Sequence, residues 1–266
     1  MARLLLAAAL VAGMAPTATA ADPLAEARRL YNLGNYEAAE LMAREALMTP
    51  VVEGARVVLG RIQLERYRRS AEPADLAAAR ESLRAVDAHA LDGRERVELI
   101  IGLAESLYLE DRFRASADLF ESVLERAAIL GASARERVLD WWATAIDRHA
   151  QRFPPEERVG WYDGIQSRMR LELAGNPGST AAGYWLAASA RASGRPDEAW
   201  HFALAGWLRA ALAEDRGAAL RADLDRLVVQ AIIPERAARF PPGVDIRQVE
   251  VTMLGEWDAF KAAWSR

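Results

Sequence analysis

The chain has 266 residues, no cysteine and a formal net charge of −4. That length can bury a substantial core without covalent staples, and the lack of thiols excludes disulfides, thiol chemistry and a lipid-bearing cysteine. Mild acidity, with arginines and carboxylates interleaved, argues against nucleic-acid binding, which needs clustered Lys and Arg on phosphates.

Residues 1–20 read MARLLLAAALVAGMAPTATA, with Arg3, an apolar run from Leu4 to Met14, Pro16, and small residues at Ala18 and Ala20. That order predicts a secretory signal peptide cleaved after Ala20. The apolar run is shorter than the roughly 20 residues a membrane-spanning helix needs, so no stable membrane anchor is expected. There is no twin-arginine signature, which favours the general secretory route and a periplasmic or secreted product. Arginine and alanine are abundant, and Lys261 is the only lysine, as in a bacterium with a GC-rich genome.

From Leu24 to Leu212 the apolar spacing is helical, with no alternating run of the strand type. Pro50, Pro73, Pro154–Pro155, Asn176–Pro177–Gly178 and Gly194–Arg195–Pro196 punctuate it. Short connections between helices of this size favour antiparallel neighbours. In ARRLYNLGNYEAAELMAREALMTP, Ala27 is the small residue of a first helix and Gly34 makes a tight turn. Tyr36 packs under that turn, and Ala39 and Ala46 let a second helix approach. ARVVLGRIQL and LAAARESLRAV form a weaker second unit, with an elongated loop from Arg68 to Asp75. IIGLAESLYLEDRFRASADLFESVL is a clear third, turning at Asp111, with Phe113, Ser116, Phe120 and Val123 on its second helix.

SARE, from Ser133 to Glu136, has the spacing of a capping box. VLDWWATAI and RVGWYDGIQSRM make a fourth unit with a long loop from Arg148 to Pro155. NPGST supplies a turn and an N-cap at Ser179 or Thr180. YWLAASARASGRPDEAWHFALAGWL is the fifth unit, with Pro196 in place of the aromatic residue after its turn. The turns at Gly34, Asp111 and Gly194 are about 80 residues apart, two units each, against roughly 34 residues for an ideal repeat.

These units resemble tetratricopeptide repeats of an exported bacterial type, over roughly residues 21–212. The resemblance implies an all-α, right-handed solenoid of about five helical hairpins. Residues 213–266 read as a C-terminal helical cap. Arg216 to Ile233 is expected to be one amphipathic helix stopped by Pro234. Ile246, Val249, Met253, Trp257, Phe260 and Trp264 then recur at helical spacing, a stripe suited to covering the end of the array, with a docking helix as the alternative.

Nothing in the sequence predicts a metal or cofactor. His89, His149 and His201 fall in different units without ligand spacing, and no phosphate loop, dinucleotide fingerprint or nucleophile elbow is present. Glu105–Ser106 is superficially similar to the Glu-Ser of soluble lytic transglycosylases, but that family's downstream glycine-rich and aromatic motifs are missing. The tryptophans at helical spacing read as core, with Trp142 inward and Trp141 directed elsewhere.

The leading expectation is therefore a non-catalytic scaffold that binds another protein or a peptide segment of the cell envelope. In the repeats it resembles, the first helix of each hairpin lines a concave face. That implies partner-binding positions at Arg28, Tyr31 and Asn32, then Arg61 and Glu65, then Glu105 and Tyr108. Asp140, Thr144 and Asp147 follow, then Tyr184 and Arg191. Basic residues come early and acidic ones centrally, so the face is expected to be electrically graded. The alternative is an enzyme or enzyme accessory acting on cell-wall polymer through an aromatic-lined cleft.

Overall fold

The computed structural model describes residues 22–213 and 215–264. The expected signal peptide and its cleavage site lie outside these residues. Five helix pairs come first: α1 (Pro23–Asn32) and α2 (Tyr36–Ala46), α3 (Val52–Ser70) and α4 (Pro73–Arg84), and α5 (Gly93–Leu109) and α6 (Phe113–Val123). Next are α7 (Ala132–Ala150) with α8 (Pro155–Gly175), and α9 (Thr180–Ala192) with α10 (Pro196–Arg209). The chain ends in α11 (Ala218–Leu227), a π-helical stretch Val228–Ile232, α12 (Ile233–Ala237) and α13 (Ile246–Trp264). No strand occurs among the described residues, and the protein is all-α.

Each helix packs on its neighbours in sequence. The odd-numbered helices also meet one another, α1 with α3, α3 with α5, α7 with α9, and α9 with α11. Between α5 and α7, the 3-10 turn Ala127–Leu130 touches both. A layered order of this kind is compatible with a solenoid, in which each unit contacts chiefly the next.

Three turns share one geometry. Gly34, Asp111 and Gly194 all have positive φ, at 73°, 59° and 74°. In each, the following amide reaches five residues back: Asn35 N donates to Leu30 O at 3.0 Å, Arg112 N to Leu107 O at 2.8 Å, and Arg195 N to Ala190 O at 2.9 Å. That pattern closes a helix with a left-handed residue, which glycine supplies without steric cost. Buried alanines at 27, 39, 43 and 46 hold α1 and α2 close, as their lack of a long side chain dictates.

Four expectations are corrected. The elongated loop from Arg68 to Asp75 shrinks to Ala71–Glu72, because α3 runs on to Ser70 and ends at the left-handed Ala71, φ 54°. The loop from Arg148 to Pro155 shrinks to Gln151–Pro154, because α7 continues to Ala150. Pro234 does not stop its helix, which continues into α12. A proline lacks the N–H and crowds the carbonyl four residues back, and the widened π turn just before it absorbs that misfit. Finally, SARE forms no capping box, since α7 starts at Ala132 behind Gly131 without a side-chain cap.

At the C-terminal end, Met253 and Trp257 are buried, whereas Trp264 stays exposed. The Trp257 ring lies 5.8 Å from Trp200 and 5.4 Å from Trp207, both on α10, and its indole N–H donates to Asp225 at 2.8 Å. Glycines allow α11 to approach the last full pair: a Cβ on Gly206 would sit 3.0 Å from Leu224 Cδ1 and 3.3 Å from the Gly183 carbonyl oxygen. No helix among the described residues is long and apolar enough to cross a membrane.

Candidate functional site

The odd-numbered helices form a row that runs directly from α1 to α5 and from α7 to α11, bridged by the 3-10 turn between α5 and α7, and the expected partner-binding residues fall along it. The structure divides that row into a filled half and an open half.

In the filled half, α1, α3 and α5 satisfy one another. Arg28 on α1 donates to both Glu95 and Glu98 on α5, each at 3.1 Å, and Glu98 also pairs with Arg94. The Arg61 guanidinium lies 4.7 Å from the centre of the Tyr31 ring, and Arg68 lies 5.2 Å from that of Trp141. Glu65 pairs with Arg68 at 2.9 Å. Two small pockets here have room for about one water, roughly 10 and 20 Å³, and Arg28, Asn32 and Arg61 are on their walls. Of these expected contacts only Asn32 is exposed, the others being partly buried. The early arginines are thus already engaged by carboxylates and rings, and the expected graded charge is absorbed within the protein.

Glu105 departs furthest from expectation. It has no exposed surface, and neither carboxylate oxygen has a hydrogen-bond partner among the described residues. Burial pushes its pKa up, and the charges of Arg61 and Arg68 only partly offset that. Ala104 and Ser106 on either side of it are also buried, so α5 is enclosed over a wide arc at that level. A polymer substrate has no surface of Glu105 to meet. Tyr108 is partly buried against the main core, its ring 5.2 Å from Phe113, so it too belongs mainly to packing. Asp147 accepts from the Tyr162 hydroxyl at 2.9 Å, and Arg191 is tied to Glu235 of α12 at 2.8 Å. Both serve contacts between helices.

The open half is a cleft of about 460 Å³ crossing α7, α9 and α11. Asp140 and Thr144 come from α7, Tyr184 and Trp185 from α9, and Ala219 and Asp223 from α11. Trp185 is buried in the floor, where its indole N–H donates to Asp140 at 2.8 Å, and the Tyr184 ring stands edge-on to it at 5.6 Å. Burial raises the Asp140 pKa, the Trp185 bond opposes that, and the nearby Asp223 charge adds to the rise. The Tyr184 phenol is raised by burial first, then by Asp223, Asp140 and Asp147. A carboxylate field therefore surrounds this tyrosine.

One end of the cleft is fixed by Glu136. Its carboxylate accepts from Ser179 Oγ at 2.9 Å, Thr180 Oγ1 at 3.3 Å and the Ala181 amide at 3.1 Å, all at the start of α9. A negative charge suits a helix N-terminus. Ser179 meanwhile caps α9 itself, accepting from the Ala182 amide at 3.2 Å. No cluster of three or more metal-ligating side chains occurs among the described residues.

Sequence reasoning missed Glu136, Trp185 and Asp223 as parts of this site. Asp223 sits between Leu220 and Leu224, whose spacing marked α11 as part of a cap. In the structure α11 also packs on α9 and so continues the row. No protein-family model matches the chain, and comparisons with curated proteins and with solved structures find no match either.

Proposed function

We propose that the chain is an exported, periplasmic scaffold built from tetratricopeptide-like hairpins in a right-handed solenoid, and that it holds an extended segment of another envelope protein. The observation that carries this reading is the cleft across α7, α9 and α11, which unites the expected positions Asp140, Thr144 and Tyr184. A volume near 460 Å³ takes a few side chains of an extended segment rather than a folded domain. Arg28, Tyr31, Arg61, Glu65, Glu105 and Tyr108 then serve as the framework that holds the row rigid. An enzyme of cell-wall polymer would need polar side chains converging with an aromatic ring in a closed pocket; here Asp140, Thr144 and Asp223 meet Tyr184 in an open cleft, which favours the scaffold.

A photo-crosslinking amino acid at Ala219, in the cleft, and another at Glu81, on α4 away from the row, test this in the native envelope. The expected result is a specific adduct from Ala219 and none from Glu81, on a mature protein whose first residue is Ala21. Equal adducts from both positions would contradict it.

A further inference from the structure

The two halves of the row use aromatic residues differently. In the filled half, Tyr31 carries the Arg61 guanidinium at 4.7 Å, and carboxylates surround the pair; Glu105, Glu98 and Glu65 all act on Arg61. Trp141 carries Arg68 in the same way. A planar cation over an aromatic face, flanked by acids, is thus a unit this protein builds from its own residues.

In the open half, Tyr184 has the acids without the cation. Asp140 and Asp223 line the cleft together with it, and Asp147 adds its charge, yet no arginine or lysine lies over its ring among the described residues. Arg191, whose charge acts on it, is paired with Glu235. Asp140 spends one oxygen on Trp185, and its other oxygen makes no hydrogen bond among the described residues. Among the described residues Asp223 pairs only with Arg226, at 3.1 Å, and both are at least half exposed. Such a surface pair contributes little and is easily exchanged. Arg137 at the Glu136 end is the one base lining the cleft among the described residues.

We propose that the cleft selects a basic segment of its partner, with an arginine or lysine side chain lying against Tyr184 between Asp140 and Asp223. This rests on the scaffold reading and adds the partner's chemistry. A cation there would relieve the mutual repulsion of Asp140 and Asp223 and supply for Tyr184 what Arg61 supplies for Tyr31. Charge complementarity of this kind sets partner choice and rate of encounter more than raw affinity.

Selection of a random heptapeptide library on the purified full chain tests the proposal. The expected pool is enriched in Arg or Lys. The best peptide should weaken at least tenfold when its basic residue becomes citrulline or acetyl-lysine. Asp223→Asn, a change on the exposed rim, should reproduce part of that loss, and adding Asp140→Asn should complete it. Enrichment of neutral or acidic peptides that are still lost on Ala219→Trp, which fills the cleft, would overturn the charge inference and leave the cleft as the binding site. No enrichment, or peptides indifferent to Ala219→Trp, would overturn both.

Discussion

Trp185 donates its indole N–H to Asp140 at 2.8 Å, so in the floor of the cleft a hydrogen bond joins α9 to α7, beside those that Glu136 makes at the end of the cleft. Trp185→Phe keeps an aromatic ring there but removes that donor and the second ring of a buried indole. Unfolding in urea should show a loss of at least about 1.5–3 kcal/mol, the range for a hydrogen bond to a charged group, with the lost ring volume adding to it. The bond now holds the Asp140 pKa down against burial, so an NMR titration of the variant should find it higher still. An unchanged titration would mean that the bond does not form in solution.

The last helix gives a contrast between two tryptophans. Trp257 is fully buried among Trp200, Trp207 and Phe260, whereas Trp264 is 56% exposed. Trp257→Ala should cost about 3–5 kcal/mol, the range for truncating a buried large aromatic. Trp264→Ala should stay within about 0.5 kcal/mol of the parent. Similar losses from both would show that α13 does not dock as described.

Asp111 occupies a left-handed turn position that Gly34 and Gly194 occupy elsewhere. An L-residue with a Cβ is strained there by about 1–2 kcal/mol, and glycine returns part of that as chain entropy in the unfolded state. Asp111→Gly should therefore raise stability by roughly 0.5–1 kcal/mol in thermal melts. A destabilised variant would mean the third turn is not built like the other two.

That shared turn shows why so much of the fold was legible. Gly34, Asp111 and Gly194 are local signals, since φ and the five-residue hydrogen bond depend on a handful of adjacent residues. Helix ends such as Ser70 and Ala150 were less legible, because tertiary packing carried α3 and α7 past their polar stretches. The site was half visible. Asp140, Thr144 and Tyr184 share a helical register that the sequence displays, but exposure does not follow from register. Counted from their turns, Glu105 stands where Arg28 does and Tyr108 where Tyr31 does, and side chains about 30 to 70 residues away in sequence, such as Arg61 over Tyr31 and Glu98 under Arg28, decide that such positions are covered. Glu136 misled for the same reason, because its partners at Ser179 and Thr180 belong to another unit.

Glu105 makes a pH prediction. Its folded-state pKa lies above the ordinary 4.5, so folding favours its protonated form. That contribution is fully present below the ordinary value and is lost as pH rises through the folded-state pKa. Glu105→Gln is neutral at every pH and has no such loss. Urea unfolding over about pH 4 to 8 should therefore show the stability difference moving in the variant's favour as pH rises. Parallel curves would mean that Glu105 finds a cationic partner in solution that balances its burial.

The central claim is that the cleft across α7, α9 and α11 is where a partner segment binds. Ala219→Trp tests it most directly, because Ala219 is exposed, lines the cleft and supports no core contact. Melting should stay within about 1 kcal/mol of the parent, as for most surface changes. Capture of the Ala219-dependent partner in the native envelope, scored with the photo-crosslinker at Thr144, should fall at least tenfold. Undiminished capture by a folded Ala219→Trp protein would contradict the account.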